Sequence, residues 1–350
     1  MALWTEDIEG TGKIMKRFFL SILILLLFSC SHTEKKPTVI IYTALDQIFS
    51  KNILDKFEKE TGIKVRAVYD TEATKTVGLV NRIVAEANNP QCDVFWNNEI
   101  CRTVMLKRKG ILKRYKSPSA EDIPSNMKDS EGYWTGFAAR TRILIYNKNM
   151  LKEDDLPSSI LDLTNPEWRG RVSFAYPLFG TTSTHAAALF VYMGDENAKA
   201  YFRALQENNV VIVDGNASSK DAVARGEVPL GFTDTDDANI AIEQGKPVGI
   251  IFPDQGENQM GTLIIPNTAA LIKKCPHPEE GKKLIDFLLS RETERMLAYS
   301  GSAQIPVRVG IPVPESVMPI SDIKSMTVDW EIVEGKLGES SRFLEELFIR

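Results

Sequence analysis

From Val39 the chain repeats one unit: an apolar run of strand length, a short polar turn, then a segment with helical periodicity. Val39-Ile40-Ile41-Tyr42-Thr43 reads as a buried strand. After Ala44-Leu45-Asp46, Phe49, Ile53 and Phe57 recur every fourth residue with Leu54 alongside, so residues from about Gln47 form a helix with one apolar face. Gly62 ends it. Residues 64–70 and 93–96 repeat the strand pattern, each followed by polar residues and a helical stretch. Strands that alternate with helices predict an α/β fold with a mainly parallel sheet. Ligands of such sheets sit beyond the carboxyl ends of the strands. That rule gathers Asp46, Glu72, Thr74, Asn97, Asn98 and Glu99 onto one rim. Taken singly, each is also an ordinary cap or turn residue.

The length divides the fold. About 315 residues follow Pro37, more than one core supports, so two lobes are expected. Residues 133–147 read as a long strand crossing between them, with Gly136 and Ala138-Ala139 permitting a bend. Residues 262–271 carry the return strand. The first lobe is therefore expected over 38–137 plus 260–300, and the second over 138–259 plus 301–350. Arg140 and Arg142 lie two apart and share one face of the crossing strand. They face either an anion in the crevice or carboxylates across the hinge, and pairing is the preferred reading.

The second lobe carries three polar helix starts, each after a strand. Gly180, Thr181, Thr182 and Ser183 precede a helix expected from His185. Asn216 and Ser218 precede one expected at 220–225. Thr235, Asp236 and Asp237 precede one expected at 238–244. Small donors, unpaired backbone N–H groups and the positive end of a helix dipole together favour an anion.

The phrase DLTNPEWRGRVSFAYP followed by GTTSTHAAALF resembles the periplasmic solute-binding proteins of ABC importers. The nearest group is the ferric-iron-binding one, with relatives for sugar phosphates, phosphonates, thiamine and polyamines. The resemblance runs from about Thr38 to about Pro306. It implies a two-lobed Venus-flytrap fold of type II, with hinge strands between the lobes. In the ferric relatives a His and a Glu on the first lobe and a Tyr-Tyr pair on the second hold iron. A small anion on a Ser-Gly turn and an Asn completes the coordination. Here the Gly180–Ser183 turn and Asn216 match the anion half. The Glu falls at Asn98 or Glu99, the His at Asp46, and the tyrosines at Asp236-Asp237.

The N-terminus reads as an address. Lys13, Lys16 and Arg17 precede an apolar run over 18–28, too short to span a bilayer and suited to a signal peptide. Leu27-Phe28-Ser29-Cys30 resembles a lipobox, which makes residues 1–29 the signal, Cys30 the lipidated residue and 30–37 a tether. Residues 1–14 look like an upstream extension, with Met15 the natural start. The expected location is the bacterial envelope, facing the periplasm. Cys92 and Cys101 flank a strand and are not expected to bridge. A net charge of −5 without a basic cluster after the signal argues against nucleic acid. No nucleophile-elbow or zincin motif appears, and Ser183 with His185 is poor triad geometry, so no enzyme is expected.

Together these readings predict a monomeric lipoprotein without cofactor. It would pass a small anionic solute, a phosphate ester or phosphonate, to a membrane permease and its ATPase. The alternative cargo is ferric iron on Asp46, Glu99, Asp236 and Asp237 with a bound anion. A ligand sensor and a secreted hydrolase are the more distant readings.

Overall fold

The computed structural model describes residues 36–70 and 77–348. Cys30, the signal segment, Glu72 and Thr74 lie outside the described residues. The chain runs β1 (Thr38–Thr43), α1 (Gln47–Thr61), β2 (Lys64–Tyr69), α2 (Val77–Ala85), β3 (Val94–Asn97), α3 (Ile100–Arg108) and β4 (Leu112–Lys113). Next comes the long strand β5 (Thr135–Asn147). Then follow β6 (Val172–Ala175), α4 (Gly180–Met193), α5 (Asp195–Glu207), β7 (Val211–Val213), α6 (Asn216–Ala224), β8 (Leu230–Asp234), α7 (Thr235–Glu243) and β9 (Val248–Ile251). The chain returns through β10 (Ile264–Ile272), α8 (Pro278–Leu288), α9 (Arg291–Ala298) and α10 (Trp330–Phe348).

The strands order as β2-β1-β3-β10-β5-β8-β6-β7, with β4 on β10 and β9 on β5. Within each lobe the βαβ strands pair in parallel, β1 with β2 and β3, and β6 with β7 and β8. The sheet is more mixed than the alternation predicts, because β5 and β10 run antiparallel to their neighbours. These are the crossing strands and arrive without a βαβ connection, so no handedness rule makes them parallel. All thirteen residues of β5 are buried. Its first half pairs with β10 and its second half with β8 and β9, so one strand belongs to both lobes.

A bulge marks the crossing. The β5–β10 register shifts between Pro266 and Asn267, opposite Ala138, whose φ is +38°. An alanine rarely occupies that region, so neighbours must hold it there. Ala138 N–H donates to Glu294 Oε1 at 2.9 Å, and the Asn267 amide donates to Ala138 C=O. Glu294 Oε1 also accepts from Val307 N–H at 2.8 Å, while Arg308 holds Oε2 at 2.6 Å. Ala139 and Ile305 exchange backbone hydrogen bonds beside it. One buried carboxylate thus ties together β5, the strand-like segment at Ile305 and α9.

The amphipathic stretch over residues 278–298 forms two helices, α8 and α9, because Ser290 caps Thr293 N–H and restarts the ladder. The final segment, expected with the second lobe, contacts both lobes. α10 packs on α4 and α5, and its Glu334 and Glu331 pair with Arg108 and Lys107 of α3 at 2.6 and 2.7 Å. Cys92, Cys101 and Cys275 are buried free thiols, and burial raises the pKa of each. Among the described residues no helix is long and apolar enough to cross a membrane.

Candidate functional site: a carboxylate cluster on the crossing strand

The site starts from strand register. β5 and β8 are antiparallel with Arg142 directly opposite Asp234. Side chains of facing residues share one side of the sheet and lie within reach of each other. Arg140 is two residues along and points the same way. Asp234 is also the N-cap residue of α7, so β8 ends and α7 begins at the same carboxylate.

Three of the sequence-read helix starts close around it. Helices α4, α6 and α7 begin at Gly180, Asn216 and Thr235, three to five residues earlier than the periodicity predicts. Thr181, Thr182, Ser183, Ser218, Asp236 and Asp237 therefore occupy first turns rather than preceding loops. Burial overrides the weak helix propensity of threonine: Thr181 to Thr184 are all at most 3% exposed. This geometry brings Thr181 and Thr182, Asn216 and Asp234 together.

Asp234 is completely buried. Arg142 Nη1 donates to its Oδ1 at 2.6 Å. Thr181 Oγ1 and Asn216 Nδ2 donate to Oδ2 at 2.6 and 2.9 Å, and Arg140 Nη1 lies 3.5 Å away. Burial pushes the Asp234 pKa up, but Arg142, then Arg140, and the Thr181 hydroxyl outweigh it and hold the carboxyl below its usual range. Arg142 Nη1 further donates to Asn216 Oδ1 at 3.0 Å, which also accepts from the Thr182 hydroxyl at 3.1 Å.

Arg140 links the lobes. Its Nη1 donates to Asp236 Oδ2 at 3.0 Å and its Nη2 to the Asn98 carbonyl at 2.9 Å. Burial lowers its pKa, yet Asp236, Asp234, Asp237 and Asp46 together raise it above the usual value. The two arginines thus pair with carboxylates, the reading preferred from their spacing.

The remaining candidates take varied places. Glu99 is the N-cap of α3, accepting from Cys101 and Arg102 N–H at 2.6 and 3.0 Å and from Thr184 Oγ1 at 2.7 Å. Its oxygens are engaged in holding the helix start and in bridging to α4. Asn98 donates to the Ala44 carbonyl at 3.1 Å, and its buried Oδ1 has no hydrogen-bond partner among the described residues. Thr235 Oγ1 accepts from Thr141 N–H at 3.2 Å. Asp46 is exposed at the start of α1. Gly180, at φ +55°, adopts a left-handed turn into α4 that suits a residue without Cβ. Ser218 is half-buried in α6. His185 is buried in α4 with its ring 6.0 Å from Phe232, and burial, helped by Arg142, pushes its pKa down to about 3. It is therefore uncharged at neutral pH, with one ring nitrogen protonated.

Asp234, Asp236 and Asp237 offer carboxylate oxygens within 4.8 Å of one another. Asp234 was the residue that sequence reasoning passed over. Its only signal was its place at a strand end, and its central role follows from the β5–β8 register.

The chain belongs to the bacterial extracellular solute-binding protein family, whose sequence profile matches residues 103–336. It is 27% identical to Iron uptake protein A1 of Synechocystis sp., over 95% of this chain and 98% of that protein. It is 27% identical to a putative 2-aminoethylphosphonate-binding periplasmic protein of Salmonella typhi, over 76% of this chain and 74% of that one. Among solved structures, iron-bound HitA from Pseudomonas aeruginosa superposes with a TM-score of 0.79 at 25% identity, covering 89% of this chain and all of that one. The two-lobed periplasmic-binding fold expected from the resemblance is the fold of this chain.

Proposed function

We propose that this protein is the solute-binding component of an ABC importer and that its cargo is a hard cation, with ferric iron the preferred ion. The observation that carries this reading is the charge balance at the crevice. Three carboxylates, Asp234, Asp236 and Asp237, lie within 4.8 Å of one another beside two guanidiniums, Arg140 and Arg142. That cluster favours a cation over a phosphate ester. Hard carboxylate oxygens suit a hard ion. The iron-uptake relative and the iron-bound structural neighbour support the same cargo. Asp236 and Asp237, which stand where the resemblance places tyrosines, would be the ligands, with Asp46 from the opposite rim.

The phosphonate-binding relative supports the other reading, a small anionic solute. That reading draws on Thr181, Thr182 and Asn216, whose side chains are already engaged with Asp234, Arg142 and one another. It is the less well supported of the two.

Calorimetric titration with ferric citrate, and separately with 2-aminoethylphosphonate without metal, distinguishes them. Ferric binding is expected, weakened by about tenfold or more, at least about 1.4 kcal/mol, in Asp236→Ala. Phosphonate binding without metal, with no ferric binding, would sink the cation reading. Closure of the two lobes over cargo is expected to shrink the radius of gyration in small-angle scattering, and an unchanged radius at saturation would count against it.

The residues before Pro37 support an envelope lipoprotein anchored through Cys30 and working with a permease and an ATPase. Cys30→Ser is expected to abolish lipid labelling and release the protein from membranes. Wild-type protein that takes up no lipid would refute the anchor.

A further inference from the structure

The small-donor helix starts have the composition of an anion site, and two of their side-chain donors, Thr181 and Asn216, do meet an anion: the chain's own Asp234. The Thr181 hydroxyl proton goes to Asp234 Oδ2. The Asn216 amide donates to Asp234 Oδ2 and to Thr181 Oγ1, at 2.9 and 2.8 Å. The Thr182 hydroxyl proton goes to Asn216 Oδ1. Arg142 Nη1 completes the set on Asp234 Oδ1. These bonds form a closed ring in which both hydroxyl protons and the Asn216 amide are committed. The carboxylate at its centre is wholly buried and reached from β5, α4 and α6 at once.

We propose that Asp234 is a built-in anion, filling a carboxylate-sized site whose donors would otherwise hold a small exogenous oxyanion. An external formate or phosphate at this position would need the same donors and would meet the negative charge of Asp234 at contact distance. The receptor therefore takes its cargo without a co-bound anion. The latent site becomes available when the Asp234 side chain is cut back to a methyl group, and the ligand it then accepts is a small carboxylate of formate size. The statement about cargo rests on the cation reading above. The statement about the latent site does not.

The experiment is chemical rescue of Asp234→Ala, read by thermal unfolding and calorimetry without metal. Sodium formate is titrated against sodium chloride at matched ionic strength. The variant is expected to melt below wild type and to regain stability saturably with formate, because a ligand bound only by the folded state raises its stability. Wild type and Asp234→Asn, whose sites are filled, are expected to show no saturable response. Adding Thr181→Ala to Asp234→Ala is expected to weaken formate binding. If Asp234→Ala does not fold alone, recovery of folded protein on refolding with formate supports the proposal, and failure to fold with formate present overturns it. Saturable stabilisation of metal-free wild type by formate or phosphate also overturns it. Where ferric iron binds, added phosphate is expected not to raise the affinity, and a gain of about tenfold or more would overturn the cargo arm. Absence of ferric binding together with formate rescue would refute the cation reading and leave the built-in anion standing.

Discussion

Arg142 stands directly across the β5–β8 ladder from Asp234, and its guanidinium reaches the carboxylate at 2.6 Å with both side chains fully buried. Neither group can turn to water, so each depends on the other. β5 belongs to both lobes and β8 leads directly into α7, so this one pair couples the crossing strand to the rim that carries Asp236 and Asp237.

Removing one partner of such a pair leaves an uncompensated buried charge. Arg142→Met is therefore expected to destabilise the fold by about 3–5 kcal/mol in urea unfolding. Replacing both residues, as Arg142→Met with Asp234→Leu, is expected to recover much of that loss, because no charge is then stranded. A single variant as stable as wild type would contradict the pairing.

His185 makes stability depend on pH between its usual value of 6.5 and its folded value of about 3. Its folded pKa is about 3, against the usual 6.5, because burial and Arg142 disfavour the charged ring. Between those values the unfolded chain binds the proton and the folded one does not. Its contribution is thus fully present above pH 6.5 and falls as the pH drops toward 3, by roughly 1.4 kcal/mol per pH unit. His185→Gln is expected to flatten the stability profile between pH 6 and 4.5, roughly the middle of that window. Asp234 adds a separate loss below its usual value of 3.8, since its folded pKa is lowered. A His185→Gln profile parallel to wild type would contradict the assignment.

Glu99 separates cap from ligand. It holds two backbone N–H groups of α3 and the Thr184 hydroxyl. Glu99→Ala is expected to cost about 1–2 kcal/mol of stability, in the range of a lost helix cap. Ferric binding is expected to persist in Glu99→Ala and to weaken by about tenfold or more in Asp236→Ala. Loss of ferric binding in a well-folded Glu99→Ala would return Glu99 to the ligand set.

The sequence by itself determined the α/β class, the crossing strand and the polar character of the helix starts. Those follow from local periodicity and from turn and cap residue types, which act over a few neighbours. Val39 to Thr43, the Gly62 stop and the run ending at Asn147 needed no partner to be legible. Helix boundaries were less so, because Thr181, Thr182, Ser183 and Thr184 are poor helix formers that only burial against the rest of the lobe makes helical. What the helix starts would hold was decided only by tertiary structure. Thr181 and Asn216 are 35 residues apart, and Arg142 and Asp234 are separated by 92. No local pattern states that these side chains share a strand register or that an internal carboxylate meets the donors first. The antiparallel pairing of β5 with β8 sets that register, and with it whether the crevice presents donors for an anion or carboxylates for a cation.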